Sequence, residues 1–232
     1  MNIPIVKVPK FTATLPISKE VFEYRPFLVK EEKILLMANE SNEMSTIMSA
    51  IGDVVEQCTY GKIKVDSYCL ADLQYVFLQI RGKSIGENFA FYKICGECGY
   101  KHITEMHVND FEVTEKIVNN IVTLEGGTKV ELKYPGLQHY GLLFEDESTE
   151  AIFNVVADCI VKIYDEEEVF ENSPEVRNDV LDFIDNLTSK EFEKFEEFFT
   201  NMPVLFKKFD FVCEGCGVSN SLLVDSITNF FE

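Results

Sequence analysis

Two cysteine pairs, Cys95-Gly96-Glu97-Cys98 and Cys213-Glu214-Gly215-Cys216, are the residues whose types and spacing could do chemistry in this chain, and each is followed at once by glycine, Gly99 and Gly217. Thiolates at both ends of a tight CxxC turn grip one tetrahedral ion from the same side, and a second such turn completes a closed four-sulfur zinc site. A closed site leaves no position for water or substrate, so its role is to staple a fold. The redox alternative, a disulfide-exchanging CxxC, requires a helix opening at the motif to lower the first thiol's pKa. Gly99-Tyr100-Lys101-His102-Ile103 does not open one. His102 and His107 are the histidines near enough in sequence to compete for a ligand place.

The flanks say what must position these sulfurs. Phe89–Ile94 and His102–Val108 bracket the first pair, Phe209–Val212 and Ser221–Val224 the second, and all four stretches are aromatic or β-branched. Each pair is therefore expected at the tip of a β-hairpin, with glycine supplying the positive φ that turns backbone amides toward sulfur. If both pairs hold one ion, residues 99–212 form an insertion between two halves of a small split zinc ribbon.

The chain has 232 residues, 46% of them hydrophobic, no Trp, 20 Phe and a formal net charge of −19. No apolar run is long enough to cross a bilayer, and Met1–Lys7 lacks the apolar core and cleavage site of a secretory signal. Seven cysteines, four of them in CxxC turns, fit a reducing compartment, and Cys58, Cys69 and Cys159 read as small buried hydrophobes. Residues 145–197 carry 18 Asp and Glu against 4 Lys and Arg, so −14 of the −19 lies there. That surface repels phosphate backbones and suits a basic partner or simple solvation.

Between the turns, the pattern predicts an N-terminal hairpin over 11–17 and 21–27, a helix over 30–38 with a break at Asn39–Asn42, and a second helix striped by Met44, Ile47, Met48, Ile51, Val54, Val55 and Cys58. A third helix is expected to end at Arg81-Gly82. Gly82-Lys83-Ser84 resembles the end of a phosphate loop, and 82–86 matches GxSxG, but both motifs need a strand before them and here follow a helix. Short strands are expected at 117–122 and 128–134, separated by Gly126-Gly127. Ile152, Val155, Val156, Cys159, Ile160 and Ile163 read as one uninterrupted helical stripe after a cap near Ser148. Pro174 opens a further helix, and Thr188-Ser189-Lys190-Glu191 is a capping box ahead of Phe192, Phe195, Phe198 and Phe199. Phe230 and Phe231 are expected to dock, on the chain itself or on a neighbour.

The resulting expectation is an α+β fold, a mainly helical body with an N-terminal β-hairpin and a split zinc ribbon formed by two CxxC hairpins. Its segments are 1–28 (hairpin), 29–88 (helical), 89–135 (first zinc hairpin and small sheet), 136–203 (acidic helical) and 204–232 (second zinc hairpin and tail), in one compact unit.

Tyr24-Arg25-Pro26-Phe27-Leu28-Val29-Lys30-Glu31-Glu32-Lys33-Ile34-Leu35-Leu36-Met37-Ala38, then Asp72–Glu87, then Met202-Pro203 before the second CxxCG and the closing Phe230-Phe231, together resemble the baseplate hub proteins of T-even-type contractile-tailed bacteriophages. The resemblance spans nearly the whole chain and implies a late virion or tail-assembly protein, made in the host cytoplasm, that acts through contacts with other hub and tail subunits. It implies no active site, and the positions it carries over are the structural zinc ligands Cys95, Cys98, Cys213 and Cys216. The competing reading is a zinc-ribbon accessory factor for nucleic acid. Lys93, Lys101, Lys207 and Lys208 around the turns are matched by Glu97, Glu105, Asp210 and Glu214, so the basic footprint of such a factor is missing.

Overall fold

The computed structural model describes residues 7–114, 119–146, 148–165 and 168–225. In chain order these form β1 (Phe11–Thr14), β2 (Val21–Tyr24), α1 (Val29–Ser41), α2 (Met44–Cys58), α3 (Leu70–Ser84), β3 (Asn88–Ile94), β4 (Lys101–His107) and β5 (Glu112–Val113). There follow β6 (Ile121–Thr123), β7 (Lys129–Leu132), α4 (Leu137–Glu145), α5 (Thr149–Cys159), β8 (Ile160–Tyr164), β9 (Val169–Glu171), α6 (Arg177–Asp185), α7 (Ser189–Thr200), β10 (Leu205–Val212) and β11 (Ser219–Val224). The fold is mixed α and β. The expectations for 1–6, for Ile117-Val118 and for Phe230-Phe231 lie outside the described residues.

The described residues of 1–35, 51–114 and 204–232 group into one compact unit, and those of 36–50 and 115–203 into a second. In the first unit, β1 and β2 pair antiparallel from Phe11 opposite Tyr24 to Thr14 opposite Val21. The turn between them is held by Asp72 of α3, whose buried carboxylate accepts from the amides of Ile17 (2.8 Å) and Ser18 (3.1 Å). Behind β2, Arg25 donates to fully buried Glu31 at 2.9 Å, and Glu31 accepts from the Leu28 amide at 2.7 Å, so the first turn of α1 is capped from within. Asn42, at φ +57°, ends α1 three residues later than the sequence break predicts. α3 likewise runs two residues past Arg81-Gly82, to Ser84.

The insertion leaves and returns through adjacent strands. β5 pairs antiparallel with β10, Val113 opposite Leu205, and the next residues are tied by Thr114 N to Val204 O and Val204 N to Thr114 Oγ1, both 3.0 Å. A long excursion therefore starts and ends at one hydrogen-bonded point of the first unit.

In the second unit, β6, β7, β8 and β9 form an antiparallel sheet in that order. Its inward residues, among them Val122, Val130 and Ile160, pack with Val180 and Ile184 of α6 and with Phe195 and Phe198 of α7. Tyr134 stacks on Phe198 at 4.7 Å. The capping box is present as expected: the Thr188 hydroxyl accepts from the Glu191 amide (3.3 Å) and Glu191 accepts from the Thr188 amide (3.0 Å). Residues 152–163 do not form a single helix. α5 stops at Cys159, and Ile160–Tyr164 becomes β8, paired with β7 and β9. Ile160-Val161-Lys162-Ile163-Tyr164 satisfies both periods, and two flanking strands decide for the extended form. The segment 136–203 is accordingly not purely helical.

Candidate metal centre

The two CxxC turns are built alike. Cys95 N donates to Tyr100 O at 2.9 Å and Gly99 N to Cys95 O at 2.9 Å; Cys213 N donates to Val218 O at 2.8 Å and Gly217 N to Cys213 O at 2.8 Å. Gly99 and Gly217 sit at φ +71° and +76°, the left-handed conformation each turn needs to reverse within five residues. Each turn closes a ladder as expected: β3 pairs with β4 from Asn88–His107 to Ile94–Lys101, and β10 with β11 from Lys207–Val224 to Val212–Ser219.

The hairpins bring the sulfurs together. The Sγ atoms of Cys95, Cys98, Cys213 and Cys216 all lie within 4.8 Å of one another. Across the turns, Cys95 faces Cys216 at 3.8 Å and Cys98 faces Cys213 at 3.5 Å, and all seven cysteines are free thiols. A tetrahedron of sulfurs about 2.3 Å from a zinc ion has edges of about 3.8 Å, so these separations fit a shared ion and are far too long for disulfides.

Electrostatics agree with that fit. The amides of Cys98 and Glu97 hold the Cys95 thiol below its usual value. The His102 side chain and the Cys216 amide pull Cys213 down to about 6. Cys216, although the Val218 amide favours its thiolate, is pushed up to about 12, first by the Cys98 sulfur, then by partial desolvation and the sulfurs of Cys213 and Cys95. Four adjacent thiols cannot all ionise against one another unaided, and a divalent cation supplies the missing countercharge.

Several supporting residues carry no motif. Tyr100 OH donates to Glu214 Oε2 at 2.8 Å, joining one turn to the other. Asn220 Nδ2 lies 3.9 Å from Cys95 Sγ. A Cβ on Gly215 would meet Tyr100 Cβ at 3.0 Å and Cys98 Sγ at 3.2 Å, so the close approach of the turns requires glycine there. His102 packs between Tyr100 (4.7 Å) and Phe211 (4.6 Å), with a buried Nε2 that has no hydrogen-bond partner among the described residues. His107 is not in the sulfur group: its Nδ1 accepts from the Asn109 amide at 3.1 Å, capping a short turn. Local spacing could flag Gly215 and the histidines, but the Tyr100–Glu214 link joins residues 114 apart and has no sequence signal.

The other motifs have structural roles. Gly82-Lys83-Ser84 lies in the last turn of α3, where Ser84 donates to Ile80 O (2.6 Å) and accepts from Phe27 N (2.9 Å), and Lys83 pairs with Glu87 at 2.5 Å. Burial pushes the thiols of Cys58 and Cys159 up to about 12 and that of Cys69 to about 11. Among the described residues, no helix is long and apolar enough to cross a membrane.

A family model described as T4 bacteriophage base plate protein matches residues 8–232. No curated protein and no solved structure matches the chain.

Proposed function

The chain belongs to the T4 bacteriophage base plate protein family, and from that premise we propose that it is a non-enzymatic structural or assembly subunit of the baseplate hub, working through protein–protein contacts on a zinc-stapled scaffold. The observation that carries the scaffold reading is the convergence of four thiols from two hairpins, in facing pairs 115 and 121 residues apart. Cys95, Cys98, Cys213 and Cys216 would hold a structural Zn²⁺ ion, which supplies a cross-link and no reaction. Its partners are other hub and tail proteins, met in the host cytoplasm during assembly and in the tail baseplate of the virion. Nucleic acid is not among them, because a net charge of −19 repels phosphate.

Affinity purification of the tagged chain from infected cells, with mass spectrometry of both the eluate and mature tails, tests the hub assignment. Co-elution with hub subunits is expected, and persistence in mature tails separates a resident subunit from an assembly factor. Recovery of the chain free of every tail component would overturn the assignment.

A further inference from the structure

We infer that the open edge of β9, with the apolar groove beside it, receives an extended cationic and apolar segment of another base plate subunit, which adds to the sheet as a strand. The groove has a volume of about 570 Å³ and is lined by Ile163 of β8, Phe170 of β9, Val176, and Val180 and Phe183 of α6. Val169 and Phe170 are 56% and 52% exposed, so this strand holds apolar surface in water.

Among the described residues the backbone is equally open. β9 is the last strand of its sheet among the described residues. Asp165 N bonds Glu168 O and Asn172 N bonds Val161 O, so the ladder's alternation makes Ile163 and Phe170 a bonded pair and turns the amides of Val169 and Glu171 away from β8. An unpaired edge of this kind is the template for strand addition.

Charge selects the occupant. Asp165, Asp179 and Glu171, the last paired with Lys162, border the groove, and among the described residues no lysine or arginine lines it. Two nearby cations are engaged: Lys162 pairs with Glu171 at 2.8 Å, and Arg177 binds Asp158 and Asn154. A second copy would set the same carboxylates against their own kind, and nucleic acid would be repelled. A strand alternating apolar residues with lysine or arginine satisfies the edge, the groove and the rim together. The reading of the chain as a base plate subunit enters only in saying where that segment comes from.

The test uses the full chain and a fluorescein-labelled decapeptide of alternating Lys and Leu, with its Glu-Leu counterpart, followed by anisotropy. Three variants probe edge, groove and rim: Val169→Pro, which removes an outward amide without touching the inward ladder, Phe170→Ser, and the pair Asp165→Lys with Asp179→Lys. We expect binding of the Lys-Leu peptide alone, weakened at least tenfold by each variant while melting temperatures stay within a few degrees. If Val169→Pro unfolds the chain, the other two variants decide. Equal binding by all variants, equal binding of the Glu-Leu peptide, or self-association that Phe170→Ser abolishes would overturn the inference. A photo-crosslinking amino acid in place of Phe170 during tail assembly should capture a net-positive segment of another subunit; capture of a second copy or of this chain's own residues counts against it. The peptide measurement judges the groove without reference to phage, whereas the composition of purified tails judges the base plate reading.

Discussion

Replacing Cys213 with serine removes one of the four sulfurs that two hairpins far apart in the chain bring together. The cross-turn sulfur pairs link residues 115 and 121 apart. Closing a loop of that size restricts the unfolded chain by about 5 kcal/mol. For a protein of this length each kcal/mol moves the melting temperature by about 2–4 °C, so loss of the link should lower the transition of the first unit by about 10–20 °C. Elemental analysis of the purified chain should give one zinc per wild-type molecule and none in Cys213→Ser after dialysis against a chelator. Scanning calorimetry should show the fall in melting temperature, and chelation of the wild type should reproduce it. Chelator added to Cys213→Ser should then do nothing further, because both perturbations remove the same link. Cys69→Ser, outside the sulfur group, should keep its metal. A Cys213→Ser protein with wild-type zinc content and melting temperature would refute the reasoning, as would a wild type that binds no metal.

Other perturbations reach different parts of the fold. Glu31→Gln leaves the Arg25 guanidinium buried without its carboxylate and should cost about 3–5 kcal/mol in denaturant titrations. Burial works against the Glu31 charge, but Arg25 and the Leu28 amide outweigh it and hold the folded-state pKa below that of an ordinary glutamate. The resulting stabilisation is fully present above that value and is lost as the pH falls through the folded one, so the acid limb of the wild-type stability profile should flatten in Glu31→Gln. Gly215→Ala should cost about 1–3 kcal/mol and speed metal release to a chelator, since its Cβ would press on Tyr100 and Cys98, while Gly96→Ala, with open space around it, should leave both unchanged. Phe195→Ala empties the centre of the second unit and should cost about 3–5 kcal/mol by thermal or urea unfolding, with zinc content intact.

Features closed by hydrogen bonds within a few residues could be read from the chain alone. The CxxCG turns depend on amides two to five residues away, the Thr188–Glu191 box on neighbours three apart, and the stripe of α2 on a single period. Their chemistry is local, so residue type and spacing determine them. Tertiary structure decided whatever depended on a distant partner. It turned Ile160–Tyr164 from the end of a helix into β8 by placing strands on both sides, returned the insertion at Thr114 and Val204, and left β9 as an open edge above an apolar groove. It also set the four sulfurs within 4.8 Å of one another. Each motif specifies half of a tetrahedron, and only the packing of two hairpins from opposite ends of the insertion can complete it.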